Sequence, residues 1–336
     1  MAKANPRPPV ESGLPPIPVH DVGSELGLST LAHAHAHAAA LLDEAAGHTP
    51  ELLLTLADRI SRQWLARSAN PYLDEIDAVA RRLGRAGGYF FNVHYEWGCT
   101  TGVKPASGGR SARLVRVLDW RTPGLGRHIM AARLVGDAGP WTTMTWPGFA
   151  GVLQAMAPGR FSAALNQAPM HMPTGLMPAD WAVNRTRIWR NGHLPPAHLL
   201  RRVFEQATSY NAALEMLVST PVSAPAIFTL AGLDAGQGVI VERRETEARV
   251  HAGGNCAANT WQAPDWSGRP RGKANAERLA MLRGIRGEVG RDLSWLDAPV
   301  LNETTRLVML ADAREGWIVA QGYEREGPAT EELRLG

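Results

Sequence analysis

The chain has 336 residues, of which 45% are hydrophobic and 20% charged, and its formal net charge is +3. This composition is typical of a globular protein with enough apolar material for a large core. The basic residues are spread along the chain and do not cluster with aromatic residues, which argues against a nucleic-acid-binding protein. No apolar run of about eighteen residues occurs, so we expect no membrane span.

Cysteine content and the first residues bear on the cellular compartment. Cys99 and Cys256 are the two cysteines, too few for a disulfide framework. The first residues lack the apolar core of a secretory signal. We therefore expect a cytoplasmic protein with free thiols, and we expect no cofactor and no bound metal.

The N-terminal part of the sequence is rich in proline and then in helix-forming residues. Residues 1–22 contain many prolines and are expected to be extended or disordered. Helices are predicted after them over residues 24–44, 49–67 and 74–85. The glycine pair Gly87–Gly88 is a stop signal for the third helix.

From Tyr89 onward, short apolar runs alternate with glycine and proline. Strands are predicted over residues 114–120, 161–166, 226–231, 238–243, 306–311 and 318–323. Helices are predicted over residues 196–210, 211–219 and 274–284. Strands with helices inserted in blocks indicate an α+β architecture and not a strictly alternating parallel fold.

Cys99 opens the strand-rich part of the chain, directly after Trp97 and Gly98. Arg116 and Asp119 follow it by seventeen and twenty positions, the distance at which two strands joined by a turn return to the same level. Asp119 could then accept hydrogen bonds from an amine, and Arg116 could stabilise negative charge. The alternatives are a small buried cysteine and a surface ion pair, which contributes little.

The segments Gly-Cys-Thr-Thr-Gly-Val at 98–103 and Arg-Val-Leu-Asp-Trp at 116–120 resemble two motifs of a known family. They are similar to the nucleophile and Arg-x-x-Asp segments of acid ceramidase and N-acylethanolamine acid amidase, relatives of choloylglycine hydrolases and penicillin V acylases. Further segments resemble this family in the same order between Tyr89 and Tyr323, at 146–153, 158–167, 199–210, 224–232, 259–261 and 299–302. The resemblance implies the four-layer αββα sandwich of the N-terminal-nucleophile hydrolases.

The same resemblance implies self-cleavage between Gly98 and Cys99. The freed α-amino group of Cys99 would be the general base, since an unperturbed α-amine titrates at about 7.7–8.0. Asp119 would orient this amine, and Arg116 would favour the thiolate. Gly98, which has no side chain, would leave the carbonyl accessible and allow unusual backbone angles.

For the oxyanion, the resemblance implies the side-chain amide of Asn259 and backbone N–H groups of Asn166–Gln167. The family also uses an arginine after the Asn-x-Trp segment, at the start of a helix. Arg278 fits the helical context best, whereas Arg271 and Arg269 fit the linear distance better. All three arginines therefore stay open as alternatives.

Two further expectations follow from the resemblance. The ceramidase branch has an acidic residue where this chain has Gln167, which puts the rate or pH dependence of self-cleavage in question. The chain would divide into a Pro-rich leader at 1–22, a helical α-chain at 23–98 and a catalytic β-chain at 99–336. The α-chain and the β-chain would stay together as a heterodimer after cleavage.

The stretch from 141 to 177 is rich in tryptophan and methionine. Core packing is the default for such residues, but flexible thioethers also suit a pocket for an apolar ligand. We expect Trp146, Met170 and Met172 to line an acyl pocket. The predicted function is hydrolysis of a linear N-acyl amide through a Cys99 thioester. The alternatives are acyl transfer through the same thioester and an inactive acyl-binding protein.

Overall fold

A computed structural model of the protein describes residues 13–47, 49–93, 97–106, 108–253, 256–285 and 287–336. Two β-sheets lie face to face in it, and helices cover their outer sides. The expected α+β class and the four-layer αββα sandwich are thus confirmed. No helix within the described ranges is long and apolar enough to cross a bilayer.

The N-terminal region contains one strand and five helices that the structure describes. Their bounds are β1 Val19–Asp21, α1 Leu26–His33, α2 His35–Ala46, α3 Glu51–Arg67, α4 Leu73–Leu83 and α5 Phe90–Val93. The first predicted helix is split, because Ala34 has an extended φ of −144°. The third ends at Leu83, earlier than predicted, because Gly84 adopts the left-handed φ of 64° that closes helices.

Of the two expectations for the leader, extended or disordered, the structure shows extended backbone at residues 19–21. Val19–Asp21 pairs in parallel with residues 131–133, so this part of the leader is held in a sheet. Residues 1–12 lie outside the described chain, and the expectation for them stays a prediction.

The strand-rich region follows. Its strands are β2 Gly98–Pro105, β3 Ala112–Asp119, β4 Met130–Gly136, β5 Gly139–Thr145, β6 Gln154–Ala157, β7 Phe161–Gln167, β8 Ala226–Ala231, β9 Gly238–Arg243, β10 Ala248–Ala252, β11 Cys256–Ala257, β12 Thr305–Asp312, β13 Trp317–Glu324, β14 Gly327–Pro328 and β15 Leu333–Leu335. Its helices are α6 Met177–Arg190, α7 Pro196–Gln206, α8 Tyr210–Ser219 and α9 Asn275–Gly284. All strand pairs except β1–β4 are antiparallel.

The two sheets have different strand orders. The first runs β1-β4-β5-β6-β7-β8-β9-β10, and the second runs β11-β2-β3-β12-β13-β14, with β15 on the free side of β13. Strands β2 and β3 pack across the core on β7 and β8. Helices α7 and α8 cover the first sheet, and α9 covers β2 and β11. This arrangement puts the start of β2, and therefore Cys99, at the centre of the sandwich.

A buried ion cluster ties the N-terminal helices to α7. Arg201 of α7 pairs with Glu75 of α4 and with Glu205, each at 2.8 Å. It also donates to the carbonyl of Ser24, and Glu75 accepts from the backbone N–H of Gly27. Burial raises the pKa of Glu75, and Arg201 opposes that rise by favouring the carboxylate. The cluster therefore fixes the leader helices against the part of the chain that follows Cys99.

We expect Arg201→Leu to destabilise the protein, because it leaves the buried carboxylate of Glu75 without its cation. Loss of one partner of a buried pair costs about 3–5 kcal/mol. Arg202→Leu is the matched control, since Arg202 is exposed and should change stability by no more than about 0.5 kcal/mol. Urea denaturation measures both variants, and equal midpoints for the two would contradict the role of the cluster.

Candidate active site

Cys99 is the second residue of β2, between β11 and β3, and its side chain is fully buried. Its backbone N–H donates to Oδ1 of Asn259 at 2.7 Å, and its thiol lies 3.8 Å from the carbonyl oxygen of Leu165. Gly98 lies in the same strand and its φ is not in the left-handed region. The expected unusual backbone angle at Gly98 is therefore absent from the intact chain.

The antiparallel register of β2 and β3 explains the spacing seen in the sequence. Thr101 pairs with Arg116 and Gly98 pairs with Asp119. Arg116 and Asp119 are three residues apart, so their side chains point to opposite faces of the sheet. Arg116 faces the core between the sheets, on the side of the Cys99 thiol. Asp119 lies on the α9 side, next to the backbone at Gly98.

Arg116 is buried and is held by side chains of the facing sheet. It donates to Oδ1 of Asn166 at 2.8 Å and to Oε1 of Gln154 at 3.3 Å. Its remaining nitrogen, Nη2, has no hydrogen-bond partner among the residues that the structure describes. The amide nitrogen of Asn166 donates to Thr101 and to two backbone carbonyls. The side chain of Asn166 therefore orients Arg116.

The carboxylate of Asp119 accepts from three side chains. Arg278 donates to it at 3.0 Å, Asn302 at 3.0 Å and Thr305 at 2.9 Å. Burial raises the pKa of Asp119, and Arg278 opposes this rise most strongly. The sequence analysis included Asn302 in a family-like segment without a role, and it missed Thr305, which no motif signals.

The structure distinguishes the three candidate arginines. Arg278 is buried and donates to the carbonyl of Cys99 at 2.8 Å and to the hydroxyl of Thr100 at 2.9 Å. Arg269 and Arg271 instead line an open cleft beside Gly98. Arg278 is thus the arginine that reaches the backbone of the candidate nucleophile.

Two amide side chains complete the network around Asn259. Asn259 donates from its side chain to the carbonyl of Gln167 at 2.7 Å, and Gln167 accepts from the backbone N–H of Trp97 at 2.9 Å. Oδ1 of Asn275 accepts from the backbone N–H of Asn259 and from Arg278, each at 2.9 Å. Asn275 opens α9, and the sequence analysis missed it because a polar residue at a helix start is common.

The electrostatic surroundings keep Cys99 protonated in the intact chain. Burial raises the pKa of its thiol to about 11, and the guanidinium of Arg116 opposes this shift without cancelling it. Cys256, the other free cysteine, is also buried and its pKa is also raised by burial. The described residues contain no group of three or more His, Cys, Asp or Glu side chains that could hold a metal ion.

Two cavities flank the candidate nucleophile. One, of about 100 Å³, has a largely apolar wall that includes Trp97, Leu165, Met170, Trp181 and Ile188. The other is an open cleft of about 740 Å³ beside Gly98 and Asp119. They share Trp97, Gln167, Met170 and Arg271 at their boundary.

The three residues expected to line an acyl pocket, Trp146, Met170 and Met172, do not line the same cavity. Met170 lines both of these cavities, in line with the expectation. Trp146 instead lines a third cavity, against α2 and Trp120, and donates to the carbonyl of Leu125. Met172 is partly exposed and lines none of the three cavities. The ring of Trp120 lies between Trp146 and Trp97, with centroid distances of 6.1 Å to Trp146 and 5.3 Å to Trp97.

Comparison with known proteins supports the resemblance. No protein-family model matches the chain. The chain is 31% identical to human acid ceramidase over 104 residues, which are 31% of this chain and 25% of that protein. It is 24% identical to the mouse N-acylethanolamine-hydrolyzing acid amidase over 200 residues, 58% of this chain and 53% of that protein. The match to acid ceramidase thus spans about a quarter of that relative.

A solved structure has the same fold. The Caenorhabditis elegans ortholog of N-acylethanolamine-hydrolyzing acid amidase superposes with a TM-score of 0.50 at 19% identity, over 71% of this chain and 100% of that one. The chain is thus similar in sequence to acid ceramidase and to N-acylethanolamine-hydrolyzing acid amidase, and it shares the fold of the latter's nematode ortholog. The family resemblance read from the sequence is thus confirmed.

We expect the Cys99 thiol of the intact chain to resist alkylation near neutral pH, because only the thiolate reacts and burial raises the thiol pKa to about 11. Its alkylation by iodoacetamide should rise as the pH approaches that value. Peptide mapping distinguishes it from Cys256, and the urea-unfolded chain serves as the control. Alkylation at pH 7 as fast as in the unfolded chain would contradict this assignment.

Proposed function

We propose that this protein cleaves its own backbone between Gly98 and Cys99 and then hydrolyses a linear N-acyl amide through Cys99. The observation that carries the proposal is that each reactive part of Cys99 meets a different polar group. Its backbone nitrogen donates to Asn259, and its carbonyl accepts from Arg278. The positive charge of Arg116 lowers the pKa of its thiol, against the effect of burial. Any buried residue needs partners for its backbone groups, but a cysteine that served only to fill the core would need no side-chain amide, and no guanidinium on its thiol, for this purpose.

In self-cleavage, the sulfur of Cys99 attacks the carbonyl carbon of Gly98. A C–S bond forms, the C–N bond to Cys99 breaks, and the thiol proton is transferred to the departing nitrogen. Water then hydrolyses the thioester and releases a carboxylate on Gly98 and a free amine on Cys99. Gly98 lines the open cleft, which gives water access to this carbonyl.

The free amine changes the chemistry of Cys99. An α-amine that titrates near neutrality can take the proton of the thiol, so the nucleophile needs no histidine. Asp119, which pairs with Gly98 across β2 and β3, lies on the side where this amine appears. The thiolate attacks the amide carbon, the protonated α-amine returns its proton to the leaving amine, and water hydrolyses the acyl thioester. The side-chain amide of Asn259 would donate to the oxyanion, and Arg278 holds the carbonyl of Cys99.

The acyl group would bind in the apolar cavity beside Trp97 and Leu165, because burial of apolar surface there is favourable. Residues 23–98 and 99–336 would remain together after cleavage as an α-chain and a β-chain. The buried cluster of Arg201 and Glu75 supports this proposal, since it joins the two segments away from the cut.

We expect Cys99→Ala to remain a single chain and to lose turnover by more than about 10³-fold, as nucleophile removal does in related covalent mechanisms. The wild-type protein should show two fragments by mass spectrometry, the second beginning at Cys99. Cys256→Ala is the matched control, because it removes the other buried thiol and should still be cleaved and active. Hydrolysis of a panel of N-acyl amides measures turnover.

Two outcomes would favour the other functions. An uncut wild-type chain that forms no adduct with a thiol-directed acyl probe would favour an acyl-binding protein. A product in which an added amine replaces water would identify acyl transfer as the main reaction.

We expect Met170→Asp to lower kcat/KM for long-chain amides at least about ten-fold relative to short-chain amides, because a carboxylate in the apolar cavity must be desolvated. Self-cleavage should be retained. Met172→Asp is the matched control, since Met172 lies outside the cavity wall and should leave the long-to-short ratio unchanged. Equal long-to-short ratios in wild-type and Met170→Asp would argue against this cavity as the acyl site.

A further inference from the structure

The open cleft beside Gly98 has an unusual charge for a site that would release a lipid-like amine. Among the residues that the structure describes, its wall contains four basic residues and two acidic ones. The basic residues are Arg121, Arg269, Arg271 and Lys273, and the acidic residues are Asp119 and Glu303. The described part of the wall therefore carries an excess of two positive charges.

Both acidic side chains of the cleft already have a cationic partner. Asp119 is paired with Arg278 at 3.0 Å, and Glu303 is paired with Lys273 at 3.3 Å. Arg121 and Arg269 are exposed, and no carboxylate of the described residues lies within ion-pair distance of either. The proposed cleavage would add one carboxylate, on Gly98 of the same wall, which is one charge fewer than the two exposed arginines carry. Positive charge is thus left over on the cleft wall for a ligand.

Backbone hydrogen bonds fix the segments that carry the two exposed arginines. Arg269 exchanges two backbone hydrogen bonds of 2.8 Å with Met170, which also lines the apolar cavity. Arg121 follows β3, where the N–H of Trp120 donates to the carbonyl of Thr304 at 2.7 Å. The main chain at Arg121 and at Arg269 is therefore fixed, and the two side chains extend from two different segments of the cleft wall.

A linear amide consists of an acyl half and an amine half. The two cavities differ in the same way, since one has a largely apolar wall and the other a basic one. The apolar cavity fits the acyl half, which leaves the basic cleft for the amine half. Arginine side chains bind carboxylates through a planar fork of donors, and a cleft of one charge sign concentrates ligands of the opposite sign. A cationic amine half would be repelled, and a neutral one would gain nothing from these charges.

We propose that the cleft lined by Arg121 and Arg269 is a subsite for an anionic leaving group, so that the preferred substrates are N-acyl amino acids or similar amides with an acidic amine half. This inference rests on the proposed function. It narrows the substrate class from any N-acyl amide to those whose released amine carries a carboxylate or another acid.

The test compares three substrates that share the acyl chain found best in the panel. One carries glycine, one its neutral amide glycinamide, and one the cationic ethylenediamine. At low ionic strength, kcat/KM should be about ten-fold higher for the glycine conjugate than for the glycinamide conjugate, and lowest for the cationic one. The preference should shrink at about 0.5 M salt, where exposed charges are screened.

Variants of the two arginines link this preference to the cleft. Arg121→Gln and Arg269→Gln should each lower the glycine-to-glycinamide ratio about two- to five-fold, and more together. Arg325→Gln is the matched control, because Arg325 is an exposed arginine in the turn between β13 and β14 and should leave the ratio unchanged. Mass spectrometry of the cleaved fragments verifies that each variant has folded.

The outcomes separate the two proposals. Turnover of glycinamide conjugates that depends on Cys99, with a glycine-to-glycinamide ratio near one, would overturn the anionic subsite and leave the amidase function standing. A preference that survives the double variant or high salt would also overturn it. Absence of Cys99-dependent turnover with all three substrates would refute the proposed function and the subsite with it.

Discussion

The buried guanidinium of Arg278 is the interaction on which the candidate site depends. Burial of a cation away from solvent costs free energy unless hydrogen-bond acceptors surround it. Arg278 donates to the carbonyl of Cys99, to the carboxylate of Asp119 and to the amide oxygens of Asn259 and Asn275. These acceptors come from β2, β3, the segment after β11 and α9. One side chain therefore fixes helix α9 against the hairpin of β2 and β3 and against the segment after β11.

The core of the site could be predicted from the sequence because it is local. Cys99, Arg116 and Asp119 lie on one hairpin, so strand geometry and the family-like motifs were enough to bring them together. Strands β8 and β9 were predicted with the bounds that they have in the structure, since each is a short apolar run closed by turn residues. The sequence analysis placed Arg116 and Asp119 in one site, but side chains three residues apart on a strand point to opposite faces of the sheet.

The rest of the site depends on contacts between distant segments, which a single sequence does not reveal. Thr305 binds Asp119 across 186 residues of chain, and Asn275 binds Asn259 across 16. Neither Thr305 nor Asn275 stands in a recognisable motif. Helix α6, Met177–Arg190, was not predicted from the sequence. The choice among the three arginines likewise required the packing of α9 on β2.

Strand β1 has a consequence for how the protein can be made. It belongs to the segment before the proposed cut, yet it extends the first sheet by pairing with β4, which belongs to the segment after it. A catalytic portion synthesised alone would leave the edge of β4 uncovered, and bare sheet edges favour aggregation. Under the proposed cleavage, the whole polypeptide would therefore fold first and be divided afterwards, and the segment before the cut would stay in place as the edge of the first sheet.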